Sequence, residues 1–150
     1  MKIAICSSAL FAKQSREIKE KLEKRGLEVF LYPQSVRLRH ETVDVSEYYS
    51  MRKKKLTPEL LGAKRQLMDK HFATIRECDA ILVLNFDRQR KRGYVGGNTF
   101  LEMGIAYWLG KKVFIWKKPS ERLPYSEEIM AINPINVEEN VERIVQYSEQ

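Results

Sequence analysis

The stretch Gly96-Gly97-Asn98-Thr99-Phe100-Leu101-Glu102 carries the strongest chemical signal in this chain of 150 residues. Paired glycines let the backbone approach a ligand closely and take up positive φ. Asn98 or Thr99 is placed to cap a helix that runs through TFLEMGIAYWLG and closes at Gly110. The free N–H groups of a helix N-terminus favour anions. Glu102 falls in the first turn of this helix, where its carboxylate is expected to stay ionised at neutral pH. Such a carboxylate serves as a nucleophile, or stabilises an oxocarbenium-like centre. The Thr99-x-x-Glu102 spacing equally fits a capping box, in which the carboxylate only bonds back to the backbone. Both readings stand on spacing alone.

A second carboxylate, Asp69, lies ten residues before Asp79, late in a long helix that precedes the central strand. From there it is expected to reach the neighbourhood of Glu102. Two carboxylates in different surroundings suit glycosidic-bond chemistry, one nucleophilic and one handling protons; a plain surface aspartate is the alternative. Other motifs fail. Cys6 invites a Cys-x5-Arg phosphate loop, but position 12 is Ala12. Gly110-Lys111 lacks the glycine spacing of a P-loop, and Gly93, Gly96 and Gly97 do not form a dinucleotide fingerprint. His40 and His71 have no helix-spaced partner ligand, so no metal is expected, and His71 reads as a helix-surface residue.

Elements must position these groups. Lys2–Cys6 reads as a strand, with Ser7 and Ser8 turning into a helix from about Ala12 to Arg25 that Gly26 stops. Leu27–Tyr32 follows as a second strand, ended by Pro33. Residues 33–56 show no clean helical stripe, only a weak alternation in ETVDV, and are read as a functional or mobile loop. Thr57 and Pro58 then mark a helix start at N-cap and N1, with Leu60, Leu61, Leu67, Met68, Phe72 and Ile75 expected on its buried side down to Cys78. Asp79–Asn85 is the clearest strand, apolar enough to be covered on both faces. After the polar loop 86–97 and the glutamate helix comes the strand Lys112–Trp116. The tail is read as a helix around 120–131, an extended piece near 132–136 and a helix from Val137 to Tyr147.

This alternation predicts an α/β fold: one domain over residues 1–150, a flavodoxin- or Rossmann-like three-layer sandwich around a parallel sheet of about five strands. Ligands in such sheets bind beyond the carboxyl ends of the strands. The formal charge of +7 is local. Arg52, Lys53, Lys54 and Lys55, with the segment from Asp87 to Arg92, account for the whole excess. Two basic clusters, both read as loops, point to a bound phosphate or short polyanion as well as to solvated surface charge. No run approaches a membrane span, and MKIAIC lacks the h-region and cleavage site of a signal peptide. Cys6 and Cys78 make no disulfide scaffold. A reduced, cytoplasmic protein is the expectation.

ICSSALF after the first strand, the aspartate ten residues before CDAILVLN, and the run NTFLEMGIAYWLGKKVFIW together resemble the nucleoside 2-deoxyribosyltransferase superfamily, which includes deoxynucleoside 5′-monophosphate N-hydrolases. The resemblance spans nearly the whole chain in order and is most specific over residues 69–116. It implies that Glu102 is the nucleophile attacking the anomeric carbon of the deoxyribose, and that Asp69 assists the departing base. Cys6, Ser7, Ser8 and Phe11 would pass beside sugar and base. Asn85, Gly96, Gly97, Asn98 and Thr99 complete the implied substrate site, Asn98 and Thr99 binding a phosphate or sugar hydroxyl. It further implies no cofactor and a homodimer or larger homo-oligomer, for which Tyr107, Trp108 and Leu109 are available unless they are core. Gly96 stands where the superfamily commonly has Asp or Ser, a departure that bears on the substrate. The expected activity is therefore hydrolysis or transfer at the N-glycosidic bond of a nucleoside or nucleoside monophosphate. The alternatives are an inactive nucleotide-binding or sensing protein on the same fold, and a nucleic-acid-binding module using its basic loops with Tyr48, Tyr49 and Tyr94 as stacking surfaces.

Overall fold

A computed structural model describes all residues, Met1–Gln150. Five strands form a parallel sheet: β1 (Lys2–Ser7), β2 (Glu28–Phe30), β5 (Ala80–Leu84), β6 (Lys112–Ile115) and β7 (Ile135–Asn136), in the order β2-β1-β5-β6-β7. Counted within the sheet alone this is the flavodoxin-like 2-1-3-4-5 order, whose switch point lies between the first and third sheet strands. Every residue of β5 is buried, as are Ile3–Cys6 of β1, because both strands are covered on two faces.

Side chains alternate between those faces. Ile3, Ile5, Leu82, Leu84 and Phe114 pack against Ile18 and Leu22 of α1 (Ala12–Glu23) and Ile144 of α6 (Val141–Ser148). Ala4, Cys6, Ile81, Val83 and Ile115 face Ile75 of α3 (Pro58–Glu77), Met103 and Ala106 of α4 (Gly97–Trp108) and Ile129 of α5 (Ser126–Ile132). Three layers result. No helix is long and apolar enough to cross a membrane.

The segment after β2 differs from the expected loop. Ser35–Leu38 (β3) and Glu41–Asp44 (β4) form an antiparallel hairpin, followed by helix α2 (Val45–Lys54). Val36 sits opposite Val43 in register. Together with Leu38 they bury against Tyr48 of α2 and Leu60, Ala63 and Leu67 of α3, a core of its own. The turn has no glycine; Arg39 takes the left-handed conformation instead, at φ 58°. Asp44 caps α2, its Oδ1 accepting from Ser46 N–H at 2.8 Å. Arg52, Lys53 and Lys54 therefore lie in the last turn of a helix and not in a loop, where cations favour the carbonyl end.

Helix starts were mixed in their legibility. Thr57 caps α3 with Pro58 in the first turn, as its sequence dictates. The glutamate helix instead begins at Gly97, with Gly96 at the N-cap position and no side chain closing it. The last two helices begin later than expected, at Ser126 and at Val141, because Asn140 caps α6 through a hydrogen bond to Glu142 N–H.

Candidate functional site

Where β1 and β5 end, the loops after them diverge and leave a cavity of about 360 Å³. Ser7, Ser8 and Arg16 line one side, Gly96, Gly97, Asn98 and Thr99 a second. The third wall is brought by the hairpin and α2: Gln34, Val45, Ser46, Tyr49 and Arg52. Tyr32, Tyr94 and Lys64 complete it. The lining holds three cations and no carboxylate. Lys64 lies 5.7 Å and 5.9 Å from the ring centroids of Tyr32 and Tyr49, and its burial lowers its pKa. Because no side chain caps α4, its first N–H groups remain available to an anion at Gly97–Thr99.

Glu102 lies in the second turn of α4, not the first, and makes no capping box with Thr99. It is 1% exposed and sits behind the cavity wall. Its Oε1 accepts from Asn98 Nδ2 at 2.9 Å, and its Oε2 has no partner. Burial pushes its pKa up to about 8, against smaller opposing effects from Cys6, Lys64 and Asn98. The expectation of an ionised carboxylate at neutral pH is therefore overturned. The free N–H groups of a helix N-terminus would have held it ionised, but six residues into a buried helix face the loss of water dominates.

His71 is also not where its sequence context suggested. It is wholly buried, one turn after Leu67 and one before Ile75 on the same stripe of α3. Its Nε2 lies 3.5 Å from Cys6 Sγ and 3.6 Å from Glu102 Oε1, and its ring packs 4.9 Å from that of Tyr32. Burial lowers its pKa to about 4, with Lys64 adding to the effect. At pH 7 the contact with Glu102 thus joins two neutral groups and is no ion pair. Cys6 is likewise buried and its thiol pKa is raised well above the ordinary range, by desolvation first and by Glu102 second.

The other expected residues divide. Ser7, Ser8, Gly96, Gly97, Asn98 and Thr99 reach the cavity. Asp69 does not: it is exposed and outside the lining. It follows Leu67 by two residues, about 200° around the helix from the buried stripe. The α3 side chain that faces the cavity is Lys64. Cys6 lies beneath the cavity instead of in its wall. Phe11 packs on Phe86, ring centroids 5.2 Å apart. Asn85 is fully committed to the scaffold, its amide donating to Lys117 C=O at 2.8 Å and accepting from Lys117 N–H at 3.0 Å.

Tyr32, Lys64, Arg16, Gln34, Val45 and Ser46 of the lining were missed, as was His71 behind it. Only His71 left a sequence signal, since positions 60, 63, 67, 71 and 75 form one helical stripe. The two basic clusters also part company. Arg52 lines the cavity, whereas Arg88 and Lys91 lie over the ring of Tyr94, at 5.1 Å and 5.8 Å, outside it.

No family model matches the sequence, and a search of curated proteins finds no match. Solved structures are. A 2-deoxyribosyltransferase from Bacillus psychrosaccharolyticus superposes with a TM-score of 0.53 at 15% identity, covering 91% of this chain and 98% of its own. A CMP N-glycosidase from Clostridium botulinum gives a TM-score of 0.48 at 16% identity, covering 99% of this chain and 98% of its own. A 2-deoxyribosyltransferase from Leishmania mexicana gives 0.48 at 16% identity over 77% of this chain, which spans 63% of that protein. The chain thus has the fold of the Bacillus 2-deoxyribosyltransferase.

Proposed function

We propose that the cavity binds a nucleoside monophosphate and that the chain breaks or transfers its N-glycosidic bond, with Glu102 attacking the anomeric carbon. The observation that carries this reading is the lining itself: Arg16, Arg52 and Lys64 without a carboxylate, tyrosines able to stack on a base, and Asn98 joining the wall to the Glu102 carboxyl behind it. A neutral nucleoside needs no cations, whereas a phosphate at the open start of α4 uses both the charges and the N–H groups. Deoxyribosyl transfer by a protein of the same fold supports it further.

Glu102 reaches substrate when the Asn98 amide turns from Oε1 to a sugar hydroxyl. Attack at C1′ then forms a glycosyl ester as the base departs, and water or a second base resolves it. No acid on α3 assists the leaving base; Lys64, at the cavity surface, is the cation nearest that role. A second copy of the chain is part of the proposal, docked through exposed residues of α4.

Two observations favour a second reading, ligand binding without chemistry: Glu102 is closed off behind the wall, and Asp69 lies on the far side of α3. One assay separates them. Deoxynucleosides and their 5′-monophosphates are incubated with the chain and released base is measured. Release from monophosphates, abolished in Glu102→Gln while nucleotide binding persists, is the expected result. Tight binding with no release establishes the second reading instead.

A further inference from the structure

Beneath the cavity, three elements each deliver one donor atom to the same point. Cys6 Sγ from β1, His71 Nε2 from α3 and one Glu102 carboxylate oxygen from α4 all lie within 4.8 Å of one another. None of the three residues is more than 1% exposed. A proton relay is the ordinary account of such a cluster. In a relay the imidazole spends its two nitrogens on two different partners, which fixes its tautomer.

Here the geometry is different. Nε2 faces both the thiol, at 3.5 Å, and the carboxyl, at 3.6 Å, while Nδ1 has no partner at all. One ring nitrogen donates a single proton or offers a single lone pair, so it cannot serve both neighbours well. Glu102 Oε2 is also left without a partner in the dry interior. Sulfur, nitrogen and oxygen converging on one point is the pattern of a coordination shell. Tetrahedral bonds of about 2.0–2.3 Å place neighbouring ligand atoms roughly 3.3–3.6 Å apart, the separation seen on both sides of Nε2.

We propose that Cys6, His71 and Glu102 form a binding site for a thiophilic divalent transition-metal ion of the Zn2+ class. A thiolate and a carboxylate balance the two positive charges, so the loaded core is neutral. The free Oε2 closes a fourth position by bidentate ligation. The search for helix-spaced ligands misses such a site because its ligands come from three separate elements. Occupation ties up the carboxylate that the proposed glycosidic chemistry needs, so metal and that activity exclude each other. The site itself does not rest on that reading.

Co2+ is the probe. The chelator-treated, reduced 150-residue chain is titrated with Co2+ and followed by absorbance. The expected result is one equivalent bound per chain, with tetrahedral ligand-field bands and a thiolate-to-cobalt charge-transfer band that Zn2+ then bleaches. Cys6→Ala is expected to lose the charge-transfer band and to weaken Zn2+ binding by roughly 100-fold or more; Cys78→Ala, which removes the other buried thiol, is expected to keep both. Absence of a saturable band in the unmodified chain overturns the proposal, and needs no variant to fold. A band that survives in Cys6→Ala also overturns it. Base release in the metal-free chain is measured separately, so loss of either proposal leaves the other standing.

Discussion

Glu102 and the groups around it make the residue scale quantitative. In the metal-free chain its carboxyl is held mostly protonated at pH 7, since burial raises its pKa to about 8. A nucleophile must be ionised, so kcat/KM for base release is expected to climb about tenfold per pH unit up to pH 7 and level off above about 8. A profile that falls over this range would make Glu102 a proton donor and refute its nucleophilic role. Lys64 favours the ionised carboxylate from the cavity side. Lys64→Met is therefore expected to move the midpoint of that profile to higher pH and to weaken monophosphate affinity by about tenfold, read by calorimetry. Against a nucleoside without phosphate, the same variant is expected to bind unchanged.

At the scale of elements, one close approach anchors the basic turn 88–92. Gly93 has φ +59°, and a Cβ there would lie 2.2 Å from the carbonyl oxygen of Lys118. Gly93→Ala is expected to cost about 3 kcal/mol in urea unfolding, because both strain and overlap fall on backbone atoms. Thr57→Ala is expected to cost about 1 kcal/mol, through loss of the Thr57 Oγ1 bond from Leu60 N–H at 3.3 Å. The sheet and α3 were legible in the sequence because β5 is an unbroken apolar run and Thr57-Pro58 is an unambiguous start. The hairpin was not: Val36, Leu38 and Val43 alternate properly, yet the Arg39-His40 turn carries none of the usual turn residues. The site was half legible. Loop residues next to strand ends are placed by topology, so Ser7, Ser8 and the Gly96–Thr99 run reached the cavity. Asp69 and His71 sit two residues apart on one helix, and which of them turns inward depends on a phase that the polar residues of α3 obscure.

For the whole molecule, Glu102 and His71 set opposing pH dependences in the metal-free state. Glu102 keeps its proton in the folded chain up to about 8, against 4.5 when free, so its contribution is full below 4.5 and lost as pH rises to about 8. His71 stays neutral in the folded chain down to about 4, against 6.5 when free, so its contribution is full above 6.5 and lost as pH falls. The two cancel between those limits. Stability is expected to be flat there and to fall by about 2 kcal/mol from pH 6.5 to 8, a fall absent in Glu102→Gln. On the surface, Trp108 is 83% exposed and Leu101 and Tyr107 are more than half exposed, all on α4. Light scattering is expected to report a dimer that Trp108→Glu dissociates. The hairpin with α2 has a hydrophobic centre separate from those of the sheet, yet carries a full wall of the cavity. The mouth is thus a seam between the sheet's loops and a hairpin–α2 unit that is anchored on α3. Recognition of the guest can be rewritten on one side of such a seam without touching Glu102, the proposed nucleophile, on the other, which makes residues 33–56 the natural cassette for exchanging specificity.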